Sequence, residues 1–257
     1  IAGAGLASTI AEVTAFIVFV IYILFDKTSN KYQLFSLPNI DIDLIKKQYK
    51  IGTPVVAQAV VGLGSWFIFF SIIENMGERE LAISNLVRMV YLVLSIPTWG
   101  YASGVNTLVS GFIGAGKRQA VLPMIWKTAK LCWWSTMLIA LPISLFPETI
   151  LYPLLGSEDM SLILEAKPIF YILLIILTGF SIGAVYFNGL TGTGATYFGL
   201  IIQVIGAFAY LAYIYIIIEY TPGGLVWAWA SEILYWILMM VMTIWYLKGK
   251  DWYRLEV

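Results

Sequence analysis

The sequence predicts an all-α integral membrane protein with seven transmembrane helices. Three observations carry that expectation. Of its 257 residues 60% are hydrophobic and only 12% charged, with a mean hydropathy of +0.86, whereas a soluble domain carries roughly 25% charged residues. Apolar runs near 1–25, 52–73, 81–112, 123–146, 166–187, 197–219 and 225–247 match the length of about 20 residues that spans a bilayer core. The basic residues, finally, gather in alternate connectors. The alternating ten-residue segments of a transmembrane barrel are not visible.

Taken in order, the first run carries the small residues Gly3, Gly5, Ala7, Ser8 and Ala11, which let helices approach closely. It starts at Ile1, inside an apolar stretch with no charged region before it, so the chain is expected to be part of a longer one. The connector 26–50 is polar at first and ends in IDIDLIKKQYK; this last part is expected to form a short amphipathic helix on the membrane surface. The run 81–112 is interrupted by Arg88 and Pro97. It ends in a glycine loop and the basic pair Lys117–Arg118.

The connectors 26–50 and 114–130 and the tail from Lys248 hold 12 of the 15 basic residues. The opposite connectors carry Glu74, Glu78, Glu80, Glu148, Glu158, Asp159, Glu165 and Glu219, with only Arg79 and Lys167 as bases. The positive-inside rule therefore places 26–50, 114–130 and the C-terminus in the cytoplasm, as expected of a multi-pass protein of the cell's inner (plasma) membrane. Trp227 and Trp229 at the outer edge, and Trp245 and Trp252 at the inner edge, are expected to form aromatic belts.

Three ionisable side chains fall well inside the spans. At 1.5 Å per residue, Glu12, Arg88 and Glu232 each lie roughly 10 Å below the outer edge. A charge at that depth is costly and faces a partner or a water-filled cavity. With two acids for one base, one reading is a cavity in which one acid pairs with Arg88. The other acid then takes a proton, a sodium ion or a cationic substrate. The plainer reading is a salt bridge that fastens helices, with the odd acid reaching toward water. Asn85 shares the face of Arg88. Gln58, Asn106, Asn188 and Gln203 lie on other turns, and side chains of this kind commonly satisfy one another across helix interfaces. Pro97 predicts a kink, either a hinge for gating or a static bend.

Several chemistries are excluded. There is no His, and Cys132 is the only cysteine, so no disulfide within the chain, no Cys/His metal site and no Ser/His/Asp hydrolase can be assembled. Net charge is zero, which argues against a nucleic-acid partner. GFIGAGKR at 111–118 nearly matches a phosphate-binding loop, but Arg118 stands where Ser or Thr is needed and a β-strand does not precede it. It is expected to be a tight turn anchored by basic residues. The glycines of NGLTGTGAT at 188–196 permit close packing or positive φ. As a dinucleotide fingerprint the run fails in spacing.

The long helix with Asn85, Arg88, Pro97 and Gly100 that ends in NTLVSGFIGAGK resembles the multidrug and toxic-compound extrusion (MATE) family. NGLTGTGAT and GAGLAS at 3–8 support the resemblance, which extends over essentially the whole chain. It implies the sixth to twelfth helices of a two-lobed secondary antiporter: 1–25 as the last helix of the N-terminal lobe, 26–50 as the cytoplasmic inter-lobe loop and 51–257 as the six-helix C-terminal lobe. The implied partners are a small organic, often cationic substrate, a coupling proton or sodium ion, the lipid bilayer and the N-terminal lobe of the same chain, with no cofactor. Many members carry a carboxylate mid-membrane in the seventh or tenth helix, and 52–73 and 166–187 contain none. Glu12 and Glu232 are thus candidates by depth and not by resemblance. With Gln58, Asn85, Arg88, Asn106 and Asn188 they form the expected substrate and cation pathway, and Pro97 its hinge. The alternatives are a lipid-linked saccharide flippase of the same superfamily, with a larger and more basic cavity, and a channel or structural subunit. An integral-membrane enzyme would need a cluster of His, Asp or Cys that the sequence lacks.

Overall fold

The computed structural model describes residues 2–25, 40–155, 160–220, 224–249 and 251–254. Its helices are α1 (Ala2–Phe25), α2 (Ile42–Glu74), α3 (Glu78–Gly114), α4 (Val121–Leu145), α5 (Pro147–Leu155), α6 (Met160–Gly192), α7 (Thr196–Tyr220) and α8 (Gly224–Gly249). All but α5 are long and apolar enough to cross a membrane, which gives the seven spans read from the sequence. Residues 26–39 of the first connector, Glu158 and Asp159 lie outside the described residues.

The chain divides into two units, Ile1–Ile45 and Lys46–Val257. In the first, α1 is an uninterrupted apolar helix. Thr9 and Thr14 each donate to the carbonyl four residues back, at 2.9 and 2.7 Å, so neither hydroxyl is left unsatisfied in an apolar setting.

In the second unit α6 is the central element. It packs along α3, α4 and α8, and α7 packs on α8. Lipid offers no hydrophobic drive for helices to associate, so they meet where small residues let backbones approach. Gly192 of α6 shows this most sharply. A Cβ there would stand 2.6 Å from the Asn106 carbonyl oxygen of α3. Ser110 Oγ donates to the Gly192 carbonyl at 3.0 Å across the same contact. A Cβ on Gly189 would meet Ile125 of α4 at 2.7 Å, and one on Gly179 would meet Trp236 of α8 at 3.2 Å.

The turns follow from glycine and chain chemistry. After α3, Gly116 takes φ +72° and the Lys117 amide reaches back to the Phe112 carbonyl at 2.8 Å, a left-handed helix ending that satisfies the last carbonyls. The near-match to a phosphate loop is thus a helix C-terminus. Between α6 and α7, Gly194 takes φ +81°.

Three expectations are corrected. Residues 42–50 do not form a separate surface helix; they are the first turns of α2. Asp41 Oδ1 accepts from the amides of Asp43 and Leu44 at 3.0 Å and starts the helix there; the KKQYK run beyond it consists of helix formers. The resulting 33 residues extend about 50 Å, well beyond a hydrocarbon core of about 30 Å. Trp229 is fully buried, donating to Ser84 Oγ at 3.1 Å. Trp252 is also buried and donates to the Leu247 carbonyl at 2.9 Å. Of the four belt tryptophans only Trp227 and Trp245 are exposed.

At the acidic end, Arg79 pairs with Glu165 at 2.7 Å and Lys167 with Glu148 at 2.6 Å, the latter tying α5 to α6. The Lys167 ammonium holds the Glu148 carboxyl below the ordinary glutamate range. A depressed carboxyl stabilises the fold above its unfolded pKa, and that contribution is lost as pH falls through the lowered one. The Tm difference between wild type and Glu148→Gln should therefore close as pH is taken from neutral to ~3.

Gly192→Ala is expected to cost about 1–3 kcal/mol of stability through overpacking, read as a lower Tm. Gly104→Ala is the control: nothing stands within 4 Å of a Cβ there, and alanine is the better helix former, so its Tm should hold or rise.

Candidate functional site

Between α2, α3, α7 and α8, with two phenylalanines of α6, lies a cavity of about 620 Å³. Its wall is largely aromatic: Trp66 from α2, Tyr91 and Trp99 from α3, Phe180 and Phe187 from α6, Tyr210 from α7, and Tyr235 and Trp236 from α8. Among the described residues a single carboxylate, Glu232 of α8, opens into it. Such a chamber falls in the range of about 300–1,000 Å³ typical of small-molecule sites, mostly apolar with a few placed polar groups.

Glu232 is 4% exposed. Its Oε1 accepts from Trp66 Nε1 at 3.0 Å and its Oε2 from Trp236 Nε1 at 3.1 Å. Trp236 sits four residues along the same helix and so lies on the same face by helical geometry, whereas Trp66 is brought across from α2. The buried Tyr210 hydroxyl stands beside the same carboxylate, outside hydrogen-bonding geometry to any described residue. Both carboxylate oxygens are thus served by neutral donors, and the negative charge has no basic partner among the described residues.

Arg88 does not pair with Glu232. Its guanidinium lies over the Phe70 ring of α2, 4.8 Å from the centroid, and the edge-to-face pair of Phe70 with Trp66 stands between the two charges. The reason is one of register. Arg88 is level with Phe70, one turn nearer the acidic end than Trp66, and the aromatic side chains of α2 fill the space between. Glu12 belongs to the other unit, where it is exposed on α1.

Gln58 and Gln203 line the chamber and join α7 to its neighbours. Gln58 Nε2 donates to the Thr196 carbonyl at 2.7 Å, and Gln203 Nε2 to the Tyr235 hydroxyl at 2.8 Å. Each also rests against a glycine of the other helix: a Cβ on Gly199 would stand 2.9 Å from Gln58 Nε2, and one on Gly62 2.9 Å from Gln203 Nε2. The remaining expected pathway residues lie outside the lining. Asn85 and Asn106 are half-buried on α3. Asn188 donates to the Ala184 carbonyl of its own helix at 3.0 Å. Pro97 lies within α3, which continues through it to Gly114.

Reading the sequence did not single out the aromatic lining. Only Trp236 carried a signal, its four-residue spacing from Glu232. Trp66, Tyr91, Tyr210 and Tyr235 are brought together from four helices, and in a chain with 16 tyrosines and 10 tryptophans no spacing marks them.

Trp66→Phe keeps the ring and removes one donor from Glu232. The loss of a hydrogen bond to a buried carboxylate should lower stability by about 1–3 kcal/mol, measured as Tm. Phe67→Leu on the same helix, where the side chain is 77% exposed, should change it little.

A search of curated proteins found no match. The chain is similar to the crystal structure of MATE in complex with MaL6, with a TM-score of 0.77 and 18% identity over 90% of this chain and 54% of that one. It is similar also to a MOP superfamily transporter from Pyrococcus furiosus, described as having a binding pocket of reversed polarity that suggests a different function (TM-score 0.77, 18% identity, 93% of this chain, 54% of that one). A third likeness is to the outward-facing conformation of a multidrug resistance MATE transporter (TM-score 0.73, 16% identity, 91% and 52%). The chain spans about half the length of these structures. The sequence model of the MatE family matches residues 54–216, more than half of the chain, and the protein accordingly belongs to the multidrug and toxic-compound extrusion family of membrane transporters.

Proposed function

We propose that the chain forms the C-terminal lobe, and the last helix of the N-terminal lobe, of a secondary active antiporter. It exports organic, often cationic compounds in exchange for protons or sodium ions. In this reading it sits in the inner (plasma) membrane with its C-terminus in the cytoplasm, which the basic residues of the connectors 26–50 and 114–130 and of the tail support. The other lobe closes the far side of the chamber, and rocking of the two lobes exposes it to one side of the membrane at a time.

The observation that carries this reading is the chamber itself: about 620 Å³, walled by aromatic rings, with one buried carboxylate and no basic side chain among the described residues of its lining. Aromatic faces attract a cation through the ring quadrupole, by ~2 kcal/mol once desolvated. An uncompensated carboxylate adds charge and direction. Glu232 in this reading holds either the coupling ion or the substrate's cationic group. Release of one is then linked to binding of the other, the exchange an antiporter needs. A lipid-linked saccharide, with its phosphates, calls for basic groups in the wall, and the described lining residues supply none.

The test is dye efflux by the full-length protein in vesicles, under separately imposed proton and sodium gradients, for wild type, Glu12→Gln and Glu232→Gln. Efflux should depend on one gradient and fall at least tenfold in Glu232→Gln. Undiminished efflux in Glu232→Gln would move coupling to Glu12 or the other lobe. No efflux of any cationic dye under either gradient would overturn the exporter reading in favour of the flippase.

A further inference from the structure

We infer that the outer face of α4 holds an anionic phospholipid, with Lys127 and Lys130 on its phosphate and the apolar stripe beyond them along its acyl chains. This surface is separate from the chamber and does not depend on what the chamber carries. Helix α4 packs on α3 and α6, and among the described residues it contributes nothing to the chamber's lining. Its other side is open: Trp126, Lys127, Lys130, Leu131, Trp134 and Leu138 are all exposed. With 3.6 residues to a turn, these six fall within an arc of about 140°. They make one continuous face, polar toward the basic end of the helix and apolar beyond.

The height of the lysines fits a headgroup. Counted from Leu145, the last residue of α4 at its acidic end, Lys130 is rooted about 22 Å and Lys127 about 27 Å along the axis. A hydrocarbon core of about 30 Å thus ends close to both. A lysine rooted just inside that edge turns its ammonium outward along an apolar surface, and Lys130 does so: its Nζ lies 5.4 Å from the centre of the Trp126 ring, one turn nearer the basic end. Lys127 follows Trp126 directly and stands three residues from Lys130, so the two ammonium groups are neighbours on one face. Among the described residues no carboxylate lies within ion-pair distance of either lysine. An ammonium resting on a ring still has donors to spare, and a phosphate diester accepts charge-assisted hydrogen bonds from both lysines. A zwitterionic headgroup would bring its own ammonium against this pair, so an anionic one is favoured. Leu131, Trp134 and Leu138 continue the face by one to three turns toward mid-membrane, which suits acyl chains joined to that phosphate and commits the surface to a lipid.

The test places the full-length protein in nanodiscs of phosphatidylcholine with and without phosphatidylglycerol. Lipid retained on gentle release is counted by native mass spectrometry, and Tm is measured in both compositions. Wild type should retain phosphatidylglycerol in preference to phosphatidylcholine and gain Tm when it is present. The double variant Lys127→Gln, Lys130→Gln should lose that preference about tenfold and gain no Tm from phosphatidylglycerol, while its Tm in phosphatidylcholine alone matches wild type. Lys127→Arg with Lys130→Arg should keep most of the preference. The control is Lys50→Gln with Lys248→Gln, which removes two other exposed charges from the basic end and should leave retention unchanged. An equal loss in the control would overturn the inference and leave only a diffuse attraction to the basic end. Undiminished retention in the α4 double variant would overturn it as well. A Tm that falls equally in both compositions would assign the two lysines to a contact within the protein instead.

Discussion

In lipid, burying a leucine against another helix gains little, because the acyl chains are as apolar as the partner. What remains to hold helices together is close approach and the few polar contacts that close approach allows. The second unit is built on that constraint. Gly192 lets α6 meet the backbone of α3, Gly189 receives Ile125 of α4, and Gly179 receives Trp236 of α8. Three helices are thus indexed to α6 by places where a side chain is absent. The position of Glu232 is a consequence. It lies on α8 one turn before Trp236, so the contact that seats Trp236 on α6 also sets the height of the carboxylate in the chamber.

Glu232 is buried with no basic partner among the described residues, and this gives the chamber its character. A salt bridge with Arg88 would have neutralised both groups and left a locked seam. The aromatic layer of Trp66 and Phe70 keeps the two charges apart, so Glu232 faces the chamber while Arg88 rests on a ring. The carboxylate is oriented by indoles on two helices, which fixes its direction without cancelling its charge. In the function proposed above this combination matters, since a group that is fully satisfied at rest gains nothing from a ligand.

The helices, their number and the glycine turns were legible because each depends on local chemistry: apolar length, glycine at a positive φ, small residues at crossings. The family was legible too, through the motifs around Arg88 and at 188–196. The start of α2 was misread because KKQYK looks amphipathic when taken alone, while its helix continues without a break into the span. Trp229 and Trp252 were misread because a tryptophan near a span end reads as an interfacial anchor, and the hydrogen bonds that bury these two are long-range or lie past the helix end. Glu232 was legible by depth. Its partner was not: Trp66 is 166 residues away, and which acid, if either, meets Arg88 was left open because depth says nothing about which way a side chain turns around its helix.

The two glutamines set against two glycines, Gln58 on Gly199 and Gln203 on Gly62, have a meaning beyond their hydrogen bonds. Aliphatic surfaces slide past one another with little preference between neighbouring turns. Here α2 and α7 carry complementary notches and teeth in opposite order, four residues apart on each. Moving α2 one turn in one direction would bring Gln58 level with Gln203, tooth against tooth. Moving it one turn in the other direction would bring Gly62 level with Gly199 and leave a gap. The native alignment is thus the single setting of a two-tooth vernier, and it keeps Trp66 at the height of Glu232 in an environment that offers few other means of measuring position.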